Sequence, residues 1–282
     1  MHIRAQLRGL RRAEQLLVIY LLYCSAIALG WGTRGISPIL MLSINCGAIC
    51  ALLVLPGRDA PWRDWLPFPA ILLCYREAGW MGSVLHPSGL EQKWIVWDRL
   101  VLNHSHATAA IEALGPVIPT ILEAAYLSVY VLGPIAVGLL YGYRRRGQTD
   151  RLWTAFLLGL LLCYLQFPFW PSEPPRIVFP GQNLPSLSTP LRVLNLLLVG
   201  NYGIHSSVFP SAHVAGAIGG TLMLRRLLRD RPAVGNAMLA VAVLIAVATV
   251  YGRYHYLVDA VAGAAVGVLA YRMASRIPMR PE

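Results

Sequence analysis

The chain has 282 residues, 56% of them hydrophobic and only 13% charged, a balance that excludes an ordinary soluble globule and leaves no length for a large soluble domain beside a membrane bundle. Its formal charge is +11, but the arginines are gathered in short clusters at Arg4, Arg8, Arg11 and Arg12, at Arg144, Arg145, Arg146 and Arg151, at Arg225, Arg226, Arg229 and Arg231, and at Arg272, Arg276 and Arg280. Clusters of that kind between apolar segments set orientation during membrane insertion, so the charge excludes nucleic acid as a partner rather than implying it.

In chain order, apolar stretches of about twenty residues, the length that crosses ~30 Å of hydrocarbon, are predicted at 14–31, 36–55, 118–142, 152–170, 211–228, 233–252 and 255–274. Backbone groups in lipid must pair within their own segment, so these are helices, and the alternation of a barrel is absent. The predicted fold class is therefore all-α, a polytopic transmembrane helix bundle with about six to eight crossings. The first stretch follows arginines as a secretory signal would, but it lacks a small-residue cleavage site and another apolar run follows at once, so it is read as a membrane helix. The basic clusters place both termini and the loops 143–151 and 225–232 in the cytoplasm and 171–210 outside, which suits the cytoplasmic membrane of a cell.

Both ends on one side require an even number of crossings, so an eighth is expected between 56 and 117, at 65–86. Arg76 and Glu77 fall in its middle, and an arginine at mid-membrane costs roughly 2.5–3.5 kcal/mol on insertion scales. Trp94 to Leu102 reads as an amphipathic helix in the interface anchored by Trp94 and Trp97, with Asp98 as an interfacial or capping carboxylate. Glu112 and Glu123 are read in the same way. The cysteines, Cys24, Cys46, Cys50, Cys74 and Cys163, read as small buried apolar residues, and no metal site is expected.

Polar residues with chemical potential gather at helix mouths on the predicted external face. Phe169-Trp170-Pro171-Ser172-Glu173-Pro174-Pro175-Arg176 is a stiff proline-rich turn in which Arg176 is a cation in want of an anion. Phe209-Pro210-Ser211-Ala212-His213 precedes an apolar run and has the look of a helix start, where free N–H groups and the positive dipole end favour phosphate; His205 reads as an interfacial histidine. In Tyr251-Gly252-Arg253-Tyr254-His255-Tyr256-Leu257-Val258-Asp259, helical spacing lets the Asp259 carboxylate reach His255, fix its tautomer and raise its basicity.

Pro210-Ser211-Ala212-His213 and His255-xxx-Asp259, in that order and one helical hairpin apart, resemble the type-2 phosphatidic acid phosphatase superfamily of membrane enzymes. The resemblance covers residues 111–282, a six-helix phosphatase-like membrane core, and leaves 1–110 as an N-terminal transmembrane and interfacial region without a motif. The forms Phe-Pro-Ser-x-His and His-Tyr-x-x-Asp are most similar to the branch containing inositol phosphorylceramide synthase. The resemblance implies cofactor-free, metal-free phosphoryl transfer on a lipid phosphate among membrane lipids. His255 is then the nucleophile that forms a phosphohistidine, Asp259 its orienting carboxylate and His213 the general acid, with Arg176, Ser211 and Arg253 at the phosphate and water or an alcohol as acceptor.

The family's first motif has a Lys where Phe169 stands and a Pro where Ile177 stands, and its third motif has an Arg where Thr249 stands. Arg253 or Arg192 is the expected stand-in for the missing cations. The competing expectation is a transporter, or an inactive lipid-binding protein, on the same scaffold.

Overall fold

The computed structural model describes residues 9–81 and 89–278. Arg4, Arg8 and Arg280 of the basic clusters, and the end of the 65–86 segment, lie outside the described residues. The fold is all-helical: α1 Arg12–Trp31, α2 Pro38–Val54, α3 Pro67–Trp80, α4 Leu90–Arg99, α5 Ala107–Glu112, α6 Val117–Ser128, α7 Leu132–Gly142, α8 Thr149–Tyr164, α9 Pro175–Val178, α10 Pro190–Tyr202, α11 Ala212–Leu227, α12 Pro232–Tyr251 and α13 Leu257–Arg276. Several begin as the sequence dictates, with a side-chain oxygen accepting an otherwise unpaired first-turn N–H and proline fixing the first φ. Ser37 and Thr189 do this for α2 and α10, accepting from Leu40 and Arg192 at 3.2 and 3.1 Å.

Among the described residues, four helical segments are long and apolar enough to cross a membrane, Arg12–Trp31, Arg146–Phe169, Pro232–Tyr251 and Leu257–Arg276, and a fifth is added if the bent pair α6–α7 is one span. The chain is a multi-pass membrane protein. The run 118–142 is expected to be continuous, but α6 and α7 meet at 77° across residues 129–131. Pro134, third residue of α7, has no N–H and its ring crowds the carbonyl four residues earlier, at Tyr130, which keeps one helix from running through residues 129–131.

The eighth crossing expected at 65–86 is not among the described segments long and apolar enough to span; that stretch holds the 14-residue helix α3. Its N-terminal end follows Asp64, which takes hydrogen bonds from Arg11 and Arg146 on the arginine-rich face. Its far end lies against Ile204, where a Cβ built on Gly79 would fall 2.7 Å from the Ile204 side chain. Glu77 is buried and accepts from Asn45 of α2 at 2.9 Å. Both described chain ends meet on the arginine-rich face, where Arg12 Nε donates to the Pro278 carbonyl at 3.3 Å.

Helix α11 is the centre of the bundle, packed against α8, α12 and α13. It can be central because glycines among its buried residues let neighbouring backbones approach: a Cβ on Gly219 would stand 3.1 Å from the Gly267 carbonyl oxygen of α13 and 3.2 Å from that of Ala155 on α8. Without a hydrophobic drive between helices in lipid, such close backbone approach is what holds a membrane bundle together. Three cysteines, Cys24, Cys74 and Cys163, are buried as expected, whereas Cys46 and Cys50 are exposed on α2.

Candidate active site

The two histidine motifs meet because the ends of their helices are tied together. Ser211 caps α11 by accepting the Val214 N–H at 3.4 Å, and its own N–H donates to the Asp259 carbonyl at 3.0 Å. The start of α11 is thereby bound to the first turn of α13. The turn 252–256 closes α12: Arg253 takes a left-handed φ of 62°, and the Tyr254 and His255 N–H groups both donate to the Thr249 carbonyl, at 2.9 and 3.0 Å.

This construction brings His213 Nδ1 to 3.4 Å from His255 Nε2. The other nitrogen of His255, Nδ1, lies 3.1 Å from the Val208 carbonyl and 3.4 Å from Asp259 Oδ2. A carbonyl only accepts, so Nδ1 carries the proton and Nε2 the lone pair. The i, i+4 contact is present, but not through the helical face expected: His255 sits in the turn before α13, which starts at Leu257, and Val208 supplies a partner that spacing did not indicate. Asp259 is fully buried, and its Oδ2 also accepts the Tyr256 N–H at 2.9 Å, which fixes the carboxylate at the helix mouth. Burial first, and then the Arg176 charge, depress the His255 pKa to about 3 against the raising effect of the Val208 carbonyl, so the ring is neutral at pH 7.

Both histidines line a cavity of about 950 Å³ that runs into the bundle between aromatic and aliphatic walls, reaching Trp153 and Phe156. Tyr126 and Tyr130 set their rings edge-on to His213, with centroids 5.9 and 6.1 Å away. Arg176 lines the same cavity, lies over the Tyr254 ring at 5.8 Å and donates to the Tyr254 carbonyl at 3.5 Å. The proline-rich turn is stitched to the His213 motif: Ser172 Oγ accepts the Val208 N–H at 3.2 Å, and Ser207 Oγ donates to the Trp170 carbonyl at 2.5 Å.

Of the residues expected at the site, His213, His255, Asp259 and Arg176 come together, and Ser211 serves as the cap beneath them. Arg253 does not reach the cavity. It is fully buried, and its Nη1 is 2.5 Å from Asp98 Oδ2. Asp98 is not the interfacial carboxylate expected but is fully buried too, and its other oxygen accepts the Leu257 N–H at 2.8 Å. It thus holds the chain on both sides of His255. Trp94 is buried against Phe209 and Tyr256, while Trp97 is exposed as an interfacial anchor would be.

Arg192, the other expected stand-in cation, is committed to Glu123 at 3.0 Å. Glu123 is buried and also accepts from Asn195 and from the Tyr254 hydroxyl, both at 2.7 Å, which steadies the ring that stacks on Tyr126 at 3.9 Å. Glu112, on α5, is held low by hydrogen bonds from Ser186 and Tyr251 that outweigh a raising effect of burial. His205 is exposed, 3.3 Å from Glu173. Among the described residues, no group of three or more His, Cys, Asp or Glu side chains is arranged to hold a metal ion.

A family profile described as the PAP2 superfamily matches residues 94–273, the span from α4 through most of α13 that contains every one of these site residues. No protein of curated function and no solved structure matches the chain.

Proposed function

Since the chain belongs to the PAP2 superfamily, whose membership supports phosphatase-type phosphoryl transfer on a lipid, we propose that it transfers the phosphoryl group of a lipid phosphate through a covalent phosphohistidine on His255. The observation that carries this reading is the contact of His213 Nδ1 with His255 Nε2 at 3.4 Å, at a cavity that also holds Arg176.

In the first half-reaction Nε2 of His255 attacks phosphorus and the P–O bond to the lipid breaks. The electron pair leaves on that oxygen, which takes a proton from the imidazolium form of His213 and leaves that ring neutral, ready to act as base in the next step. Arg176 faces the non-bridging oxygens, where positive charge stabilises the transition state most. Val208 and Asp259 keep the Nδ1 proton in place, so that Nε2 stays nucleophilic and the imidazolium-like charge that develops meets a carboxylate. In the second half-reaction water or an alcohol, deprotonated by His213, takes the phosphoryl group and frees His255. The similarity of the motifs to inositol phosphorylceramide synthase supports the alcohol as acceptor, and a cavity with long apolar walls suits a lipid substrate. The two nitrogens now touch, so the rings part to seat a phosphoryl group between them.

The test is incubation of the purified chain in detergent with labelled lipid phosphates, with and without candidate alcohols, scored for free phosphate and for new head groups. Product is expected in excess EDTA, and orthovanadate, which mimics five-coordinate phosphorus, is expected to inhibit. Activity that EDTA abolishes and magnesium restores would overturn the metal-independent mechanism.

A further inference from the structure

Phe68, Ile71, Leu72, Tyr75 and Arg76 recur along α3 at the three- and four-residue spacing of one helix face, and all five line the cavity that holds His213 and His255. The helix runs along that cavity. Phe68 is at its arginine-rich-face end, and Arg76 is one turn from the far end, where Gly79 abuts Ile204. The Tyr75 hydroxyl accepts the Ile204 N–H at 3.0 Å, which pins this end of α3 to the segment leading into the His213 motif. The apolar part of the stripe, in which Phe68 and Leu72 are exposed, therefore lies toward the arginine-rich end, and its one charge, on an exposed Arg76, lies toward the Ile204 end.

The cavity is lined by two guanidiniums, Arg76 and Arg176, and by no Asp or Glu. The neighbouring arginines are already neutralised, Arg192 by Glu123 and Arg253 by Asp98. Neither Arg76 nor Arg176 has an ion pair among the described residues. A guanidinium stays charged at any accessible pH, and beside apolar walls it gains most from an anion brought to it.

We infer that Arg76 contacts substrate, gripping the phosphate head group together with Arg176, and that α3, which precedes the family-matched residues 94–273, is the wall along which the lipid chain lies. This rests on the lipid-phosphate reading above. It supplies a cation where the family positions held by Phe169 and Thr249 have none. It also gives the N-terminal region a part in recognition.

The probe is a labelled long-chain alkyl phosphonate, with carbon in place of the ester oxygen, bound to the full-length chain in detergent so that no turnover is needed. Arg76→Gln is expected to weaken binding about tenfold or more, the loss of one charge-assisted contact. Arg76→Lys, which keeps the charge, should stay within about threefold of wild type, and all variants should share one thermal midpoint. Leu72→Trp, which fills the wall, should exclude the long-chain phosphonate and still admit a short-chain one. Wild-type affinity in Arg76→Gln overturns the inference while leaving the proposed function to stand on its own turnover assay. Wild-type binding that Arg76→Gln weakens, in a chain that turns over no lipid phosphate, keeps the inference and sinks the phosphotransfer reading. Failure of wild type to bind any phosphonate overturns the inference, and turnover of lipid phosphate again decides the proposed function separately.

Discussion

Nε2 of His255 is useful only while it holds a lone pair, and its surroundings determine over what pH range it does. Burial and Arg176 lower its pKa to about 3, so as pH falls the neutral ring outlasts an exposed histidine by several units. The limb of kcat/KM that reports on the free nucleophile should therefore not appear near the ordinary value of about 6.5. A pH profile with a slow substrate checks this, and an acid limb at 6.5 assignable to His255 would contradict it. The same depression has a stability consequence of fixed sign: below about 6.5 the unfolded chain takes up a proton that the folded site refuses, so stability falls as pH falls. The two histidines separate by leaving group, because a general acid matters in proportion to leaving-group basicity whereas a nucleophile always matters. His213→Ala should be slow on an alkyl lipid phosphate and substantially recovered on an aryl one, with phosphoenzyme still trappable; His255→Ala should be dead on both, and aryl recovery of His255→Ala instead would exchange the roles. His213, His255 and Asp259 could be read from the sequence because each motif is local, a few residues at a helix mouth. Asp98 could not, because its partner Arg253 is 155 residues away and its own neighbourhood has the alternation of an interfacial helix.

At the level of helices, the reach between the two motifs is set by how closely α13 approaches α11. A Cβ on Gly263 would lie 2.5 Å from the Ser211 carbonyl oxygen, so Gly263→Ala must push the α11 start away from the turn that carries His255. A displacement near 1 Å at a reacting pair costs up to about 100-fold in rate. We expect kcat to fall about 10- to 100-fold with a lowered thermal midpoint, measured by turnover and melting; a variant with wild-type kcat would show that the helix contact does not set the histidine geometry. Helix α4 acts on the same turn through Asp98. Asp98→Asn leaves Arg253 buried without a counter-charge, a loss on the order of 3–5 kcal/mol, and releases one oxygen's hold on Leu257. The expected signature is a drop in kcat with KM held, which Asp98→Glu partly recovers. Unchanged kcat in the folded fraction would make the pair structural alone. The sequence shows apolar length well and interruption poorly: the long runs are legible, whereas the 77° break between α6 and α7 depends on Pro134, which falls inside a run that hydropathy reads as continuous. Helix α3 is masked in the sequence because Arg76 and Glu77 raise the insertion cost, and the structure turns them to opposite uses, Glu77 to Asn45 inside the bundle and Arg76 to the cavity.

Across the whole molecule, the loop at Gly147 and the segment around Ser188 lie on opposite faces of the bundle. In a background with the five cysteines replaced, Ser188→Cys should be labelled by a membrane-impermeant thiol reagent from outside the cell and Gly147→Cys only after lysis, since the arginine-rich face is expected in the cytoplasm. The reverse pattern would put the histidines on the cytoplasmic side. The ion pair between Asp98 and Arg253 also carries a schedule. While the 155 residues that separate them are being added, at 5–20 residues per second, about 8–30 s pass in which Asp98 has already left the ribosome and its counter-charge does not yet exist. The turn bearing His255 can take its final shape only after Arg253 and Leu257 have emerged, so the histidine pair stays unformed through most of synthesis. A chain stalled before its last helix would accumulate in the bilayer without the paired histidines on which the proposed activity depends.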